Sequence, residues 1–310
     1  MNLLQAAAVL IGSGVLSWVI VTLSIRLAHR LEVFDHPDGG RKTQARPIPK
    51  LGGLAVALAF TAVMLAGVLV TDRLGFVLGL GVLVPALAAA VIGFMDDRSH
   101  LNPYVRLVLQ AGVGLLAWLM GTRIALSGNE VVDAVLLILW MMVIINGTNL
   151  LDNSDGLAAS TVLIMSVGAA IVAAIYGQAL VSLMGIAMVG VSIGYLWHNW
   201  FPAKVYMGDA GAYFLGTLVA IMAVRLKPEG VPPAIGVLIV VLLVLLPLVD
   251  TTYVVIKRLR RGVHPFTAGR DHLSHVLQGR GLSIPLSVVT LQGISIVGVA
   301  AAVVLAYAYR

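Results

Sequence analysis

The sequence predicts an all-α, polytopic membrane protein with about ten transmembrane helices. Of its 310 residues, 60% are hydrophobic and 11% are charged, whereas soluble domains are about half apolar and about a quarter charged. Charge-free runs long enough to cross a bilayer, at about 20 residues each, recur at 1–25, 51–71, 74–95 and 281–309. This pattern excludes a soluble domain.

Hydropathy gives the helix order along the chain. The fourth and eighth helices have short charge-free cores, and 156–203 is divided by a turn at 176–178 because it is too long for one helix. The loops are too short to build a core of their own, so residues 1–310 are expected to form a single integral-membrane domain. The predicted helices are 3–26, 53–71, 75–95, 105–121, 131–150, 157–176, 179–197, 211–225, 231–256 and 283–308.

The basic residues predict the orientation in the membrane. Fifteen of the twenty Lys and Arg residues fall in loops that follow odd-numbered helices, and all seven histidines lie on the same side. Lys and Arg are enriched in cytoplasmic loops, so both termini should be extracytoplasmic in a multi-pass protein of the cytoplasmic (inner) membrane. The five remaining basic residues are Arg73, Arg123, Arg225, Lys227 and Arg310.

Composition also removes several function classes. The chain has no cysteine, which excludes disulfides, thiolate nucleophiles and sulfur-ligated zinc. The net charge of +6 is explained by the cytoplasmic loops, so no nucleic-acid partner is expected. The first apolar run has no cleavage site before Arg26 and is expected to stay as a helix.

Four polar clusters lie at the predicted cytoplasmic ends of helices. Each has a simpler explanation when taken alone: an acidic pair can be a solvated helix end, an Asp before a helix can be an N-cap, and a basic loop can contact anionic lipid. The clusters are Asp96 with Asp97; Asn146, Asn149, Asp152 and Asp155; Asp209; and the loop 257–275 with His272 and His275.

Together the clusters predict phosphoryl-transfer chemistry. Their oxygen ligands suit Mg²⁺ or Mn²⁺, and Mg²⁺ is commonly held by one or two carboxylates plus substrate phosphates. Basic side chains beside such a site neutralise the transferring group. The physical prediction is an enzyme that acts on a diphosphate substrate at the cytoplasmic membrane surface.

Over essentially its whole length the chain resembles the polyprenyl-phosphate N-acetylhexosamine-1-phosphate transferase family. No single motif is specific to the family, but the order in which the motifs occur on alternate loops is specific. The matching stretches are Asp35-His36-Pro37 with Arg41-Lys42, Pro49-Lys50-Leu51-Gly52-Gly53, Asp96-Asp97, Asn146-x-x-Asn149-x-x-Asp152-x-x-Asp155-Gly156-Leu157, Met207-Gly208-Asp209-Ala210-Gly211 and Asp271-His272-x-x-His275.

The resemblance implies transfer of a sugar-1-phosphate from a UDP-N-acetylhexosamine to undecaprenyl or decaprenyl phosphate in the lipid membrane, with release of UMP. It implies Mg²⁺, with Mn²⁺ as the other candidate, held by Asn149 and Asp209, and a homodimer is left open. It assigns catalytic roles to Asp96, Asp97, Asp152, Asp155 and His272. Substrate-binding roles are assigned to Arg41, Lys42, Arg46, Asn146, Arg270 and His275.

Three departures and three alternatives accompany this resemblance. Asn153-Ser154 stands where the family usually has Gly-Leu, and Gln44 and Ser274 each stand where it often has histidine.

Within the family, the alternative is a phospho-N-acetylmuramoyl-pentapeptide transferase. Residues 49–53 instead favour enzymes that use GlcNAc-1-phosphate to start envelope polysaccharides such as lipopolysaccharide O-antigen, teichoic acid or arabinogalactan. A transporter would need acids near mid-membrane, where only Asp250 is a candidate. A CDP-alcohol phosphotransferase would need an aspartate pattern that does not follow Gly156.

Overall fold

The computed structural model describes residues 2–37, 44, 46–69, 73–226, 230–267 and 269–310. Two short strands, β1 (Phe34–Asp35) and β2 (Ile48–Pro49), pair antiparallel. The remaining elements are helices. They are α1 (Leu3–Leu31), α2 (Gly52–Leu69), α3 (Arg73–Ser99), α4 (Pro103–Leu119), α5 (Glu130–Leu151), α6 (Leu157–Ile175), α7 (Ala179–Asn199), α8 (Gly208–Arg225), α9 (Pro233–Leu243), α10 (Leu245–Arg260), α11 (Leu273–Gly279) and α12 (Ile284–Ala308).

The predicted all-α, polytopic class is confirmed. Each of the ten predicted helices has a counterpart, and within the described residues six are long and apolar enough to cross a membrane, or seven if α9 and α10 form one span. Ten complete spans and an extracytoplasmic position of both termini stay predictions.

The predicted ninth helix is broken rather than continuous. It divides into α9 and α10, whose axes differ by 76° at Val244. Pro247 has no N–H to donate to the carbonyl of Leu243 four residues earlier, so the regular helical ladder cannot pass this point.

Helix α8 is the centre of the fold, and almost all of its side chains are buried. It packs against α2, α3 and α5. Glycines allow the close approach at its first turn: a Cβ on Gly53 would collide with Gly211, and a Cβ on Gly93 would collide with the carbonyl of Asp209. These close approaches therefore bring three helices together around Asp209.

Candidate active site

A cavity of about 840 Å³ opens where the segments after α1, α3, α5, α7 and α10 meet. These are the segments that the sequence placed on one side of the membrane. Nine of the predicted site residues line it: Asp96, Asp97, Asn146, Asn149, Asp152, Asp155, Asp209, His272 and His275.

Two predicted substrate-binding residues do not line the cavity, and two more cannot be placed relative to it. Arg46 and Arg270 are exposed and do not line the cavity. Arg41 and Lys42 lie outside the described residues. Asn146 does line the cavity, but both N–H groups of its amide are used inside the protein, on Gln110 and on the carbonyl of Met142.

Asp97 caps the first turn of α8 from a neighbouring helix. Its Oδ1 accepts the backbone N–H of Asp209 at 3.0 Å, and its Oδ2 accepts that of Ala210 at 3.1 Å. Lys50 Nζ lies 2.7 Å from Oδ1 of the same carboxylate. Burial opposes the charge of Lys50, but the carboxylates of Asp97, Asp209 and Asp35 together outweigh it, and the pKa of Lys50 is raised above its ordinary value.

Asp96 is buried and equally saturated with donors. Its Oδ1 accepts the N–H of Leu101, and its Oδ2 accepts bonds from Tyr213 Oη at 2.8 Å and Arg106 Nη1 at 3.1 Å. The acidic pair, Asp96 and Asp97, thus joins α3 to α4, α8 and the segment before α2. In this structure both carboxylates are engaged by groups of the protein itself.

The carboxylates of Asp209 and Asp152, in contrast, accept no hydrogen bond from the described residues, and we call these two residues the free acids. Because Asp97 caps α8, Asp209 is not the N-cap that its sequence position allowed. Within the described part of the chain, the side chains of Asp209, Asp152 and Asn149 have no hydrogen-bond partner, and all three line the cavity. Burial raises the pKa of Asp152 well above its ordinary value, and the charges of Asp209 and Asp97 raise it further.

The free acids fit a divalent cation. Among the described residues no group of three His, Asp or Glu side chains is arranged to hold a metal by itself. Mg²⁺ does not require one, because it commonly takes one or two protein carboxylates and completes its shell with water and substrate phosphates. Two crowded carboxylates without donors, beside an amide oxygen, are a donor set of that kind.

Asp155 lies in the turn after α5 rather than on the helix. Helix α5 ends at Leu151, and Gly156, with φ of +77°, reverses the chain into α6. Asp155 Oδ2 accepts the N–H of Ala203 at 2.9 Å. Burial raises the pKa of Asp155, and this hydrogen bond partly opposes the shift.

His272 is oriented by Asp250, which the sequence singled out as an acid within a helix. His272 Nδ1 lies 2.8 Å from Asp250 Oδ2, while Asp250 Oδ1 accepts the N–H of Leu273. Since a carboxylate only accepts, Nδ1 carries the proton and Nε2 is left for the cavity. The ring of His275 packs edge-on against His272, and burial lowers the pKa of His275 to about 4.

The basic end of α10 is held by an acid of the histidine loop. Asp271 accepts a bond from Arg258 Nε at 3.2 Å and one from Arg261 Nη1 at 3.0 Å, and Lys257 Nζ lies 3.5 Å away. Arg258 is buried and lines the cavity. Burial opposes ionisation of Asp271, but these cations hold the pKa of Asp271 below its ordinary value.

Sequence reasoning missed three cations of the site: Lys50, Arg106 and Arg258. Lys50 stood inside a recognised motif without a role, and Arg258 was grouped with a basic run. Arg106 was treated only as an orientation signal, although its position four residues after Asn102 places it on the first turn of α4. Their pairing with Asp97, Asp96 and Asp271 requires tertiary contacts that spacing does not show.

Comparison with known proteins finds one family match and several relatives. Residues 79–227 match glycosyl transferase family 4. The chain is 27% identical over 296 residues to a protein named probable undecaprenyl-phosphate N-acetylglucosaminyl 1-phosphate transferase of Bacillus subtilis (strain 168), covering 93% of this chain and 81% of the relative.

Two further relatives bear on the substrate. A decaprenyl-phosphate N-acetylglucosaminephosphotransferase of Mycobacterium leprae (strain TN) is 28% identical over 309 residues, covering 88% of this chain and 77% of the relative. A phospho-N-acetylmuramoyl-pentapeptide-transferase of Streptococcus thermophilus (strain CNRZ 1066) is 29% identical over 226 residues, covering 66% of each chain. These matches confirm the resemblance seen in the motifs.

Proposed function

We propose that this member of the polyprenyl-phosphate N-acetylhexosamine-1-phosphate transferase family transfers GlcNAc-1-phosphate from UDP-GlcNAc to a polyprenyl phosphate. One observation carries the proposal: a single cavity brings carboxylates without donors, Asp152 and Asp209, together with the cations Lys50, Arg106 and Arg258. A diphosphate with its divalent cation matches both sets of charges.

In the proposed reaction an oxygen of the acceptor phosphate forms a bond to the β-phosphorus of the UDP-sugar. The bond from that phosphorus to the bridging oxygen breaks, and UMP leaves. A phosphate monoester has its second pKa near 6, so at neutral pH the attacking oxygen is mostly ionised and little is gained from a general base. The side chains of the cavity then serve mainly to hold and orient the two phosphates.

The residues divide this work by position. Asn149 and Asp209 would hold Mg²⁺, which supplies charge neutralisation on the diphosphate when bound. Lys50 is fixed beside them by Asp97, and His272 presents Nε2 to the same cavity through Asp250. The acidic pair positions α8 and Lys50 rather than taking a proton.

The sugar and the membrane side are parts of the same proposal. Two relatives whose names contain N-acetylglucosamine are covered by this chain over 81% and 77% of their length. The muramoyl-pentapeptide relative is covered over only 66%, and this difference favours GlcNAc-1-phosphate.

The transporter alternative loses its main support, because Asp250 is engaged by His272 and Leu273. We place the cavity on the cytoplasmic side, as the basic loops predict.

The test is UMP release by the purified protein. UDP-GlcNAc, UDP-GalNAc and UDP-MurNAc-pentapeptide are each incubated with undecaprenyl phosphate and Mg²⁺. We expect UMP and a lipid-linked GlcNAc only when donor and acceptor are both present. If UDP-MurNAc-pentapeptide were the one donor that released UMP, the result would favour the peptidoglycan enzyme. No UMP release with any of the three donors would refute the transferase proposal.

A further inference from the structure

Two of the three departures from the family pattern, Asn153-Ser154 and Ser274, contact each other. Ser274 Oγ donates to Asn153 Oδ1, and Ser154 Oγ donates to the same oxygen at 3.1 Å. Gln278 Nε2 donates to Ser154 Oγ at 3.2 Å. We call these four residues, Asn153, Ser154, Ser274 and Gln278, the polar wall.

The polar wall joins two segments that each carry site residues. Asn153 and Ser154 lie between Asp152 and Asp155, while Ser274 and Gln278 lie on α11 with His275. Asn153, Ser154 and Gln278 line the cavity, and Ser274 is fully buried behind them. Two departures far apart in sequence are therefore one structural unit facing the proposed substrate.

Hydrogen-bond capacity shows what this unit can offer. Asn153 Oδ1 accepts two bonds, which fills its two lone pairs, and its Nδ2 donates to the carbonyl of Leu150. Gln278 uses one N–H on Ser154, which leaves its second N–H and its carbonyl oxygen. Within the described residues that oxygen has no partner, yet it is not a buried unsatisfied atom, so it is accessible. Gln278, which lines the cavity, thus keeps one donor and one acceptor for a ligand.

The wall is also uncharged, in contrast to the rest of the site. The ion pairs of the cavity-lining cations are with acids outside the polar wall: Lys50 with Asp97, Arg106 with Asp96 and Arg258 with Asp271. An amide edge beside hydroxyl groups is complementary to another amide, because each supplies one donor and one acceptor. Because this amide edge carries no charge, it cannot neutralise an anionic group of a ligand.

We propose that Gln278, held in place by Ser154, Asn153 and Ser274, recognises the acetamido group of the donor sugar. This inference rests on the proposed function, since it assigns a subsite within the same cavity. The side-chain oxygen of Gln278 accepts from the acetamido N–H, and its free N–H donates to the acetamido oxygen. Ser154 keeps the amide from rotating, so both bonds form without further ordering.

The experiment measures binding of three ligands to the full-length protein with Mg²⁺ by calorimetry. UDP-GlcNAc carries the acetamido group, UDP-glucose has a hydroxyl in its place, and UDP has no sugar. For Gln278→Ala we expect the affinity for UDP-GlcNAc to fall about tenfold, the factor that corresponds to about 1.4 kcal/mol. Affinity for UDP should stay unchanged, and the preference for UDP-GlcNAc over UDP-glucose should be lost.

Two further variants separate recognition from general damage. Ser154→Ala removes the hydroxyl that fixes Gln278 and should reduce the same preference by a smaller factor. Gln44→Ala removes another cavity-lining amide, which donates to Asp35, and should leave the preference as it is.

The outcomes distinguish this inference from the proposed function. Equal losses for UDP and UDP-GlcNAc in Gln278→Ala, or no loss for either, would overturn the role of Gln278 alone. Wild-type protein that binds neither UDP nor UDP-GlcNAc would overturn the proposed function itself.

Discussion

The acidic pair and the free acids line the same cavity, yet their carboxylates are used in opposite ways. Asp96 and Asp97 accept five hydrogen bonds from the protein, and Asp97 also pairs with Lys50. Asp152 and Asp209 receive none from the described residues. The difference indicates which acids build the site and which are available to a ligand.

The comparison also explains why one acid depends on the other. A helix N-terminus needs acceptors for its first N–H groups, and at α8 Asp97 supplies them from α3. Asp209 is thereby released from capping and can face the cavity. The acidic pair therefore acts on the chemistry by positioning Asp209 and Lys50.

The largest effect is expected for Asp209→Asn. If Asp209 holds the divalent cation, the substitution should reduce UMP release on the order of a thousandfold, with little change in thermal stability. Asp133→Asn is the matched control, because Asp133 is buried and accepts N–H groups of Leu126 and Ser127 away from the cavity. Near-wild-type release by Asp209→Asn would contradict the assignment.

A smaller loss is expected for Asp97→Asn, roughly 10–100-fold, as for other residues that orient a metal site. The loss should be the same at pH 6.5 and pH 8.5, because the missing feature is a cap and an ion pair rather than a base. Rates are measured at both values with saturating acceptor. Substantial recovery at pH 8.5 would instead identify Asp97 as a base.

Asp250→Asn is expected to cost about tenfold in turnover. The amide can still accept the N–H of Leu273, but it no longer holds His272 with Nδ1 protonated as a carboxylate does. The effect should appear in kcat more than in the KM for UDP-GlcNAc. The control is the double variant with His272→Ala and Asp250→Asn. If its turnover were about tenfold lower than that of His272→Ala, Asp250 would act independently of His272.

The smallest effect concerns His275 and stability. The pKa of His275 is lowered to about 4 in the folded protein, against an ordinary 6.5. The unfolded chain therefore binds this proton more readily, and stability falls as pH decreases from 6.5 toward 4. Between pH 7.5 and pH 5, the Tm of His275→Gln should fall by less than the Tm of the wild type. Equal falls in Tm would show that His275 does not contribute to the pH dependence of stability.

Local sequence signals predicted much of this architecture. Apolar runs located the helices, and polar clusters at alternate helix ends located nine cavity residues. The break at Val244 and the seven-residue α11 were missed, because the apolar run continues through Pro247 and one short helix has little periodicity.

What the sequence could not supply was the state of each carboxylate. Asp97 and Asp209 are 112 residues apart, and only their contact shows that one caps the helix of the other. The same holds for Asp250 with His272, and for Ser274 with Asn153. Arg46 and Arg270, which were assigned substrate-binding roles, are both exposed.

Binding of Mn²⁺, followed by its electron paramagnetic resonance signal in the presence of UDP-GlcNAc, tests the division between the two acid groups most directly. Asp209, together with Asn149, is predicted to hold the metal, so Asp209→Asn should abolish bound Mn²⁺, while Asp97→Asn should retain it with at most a modest loss of affinity. Equal loss of Mn²⁺ in both variants, or retention in Asp209→Asn, would contradict the account.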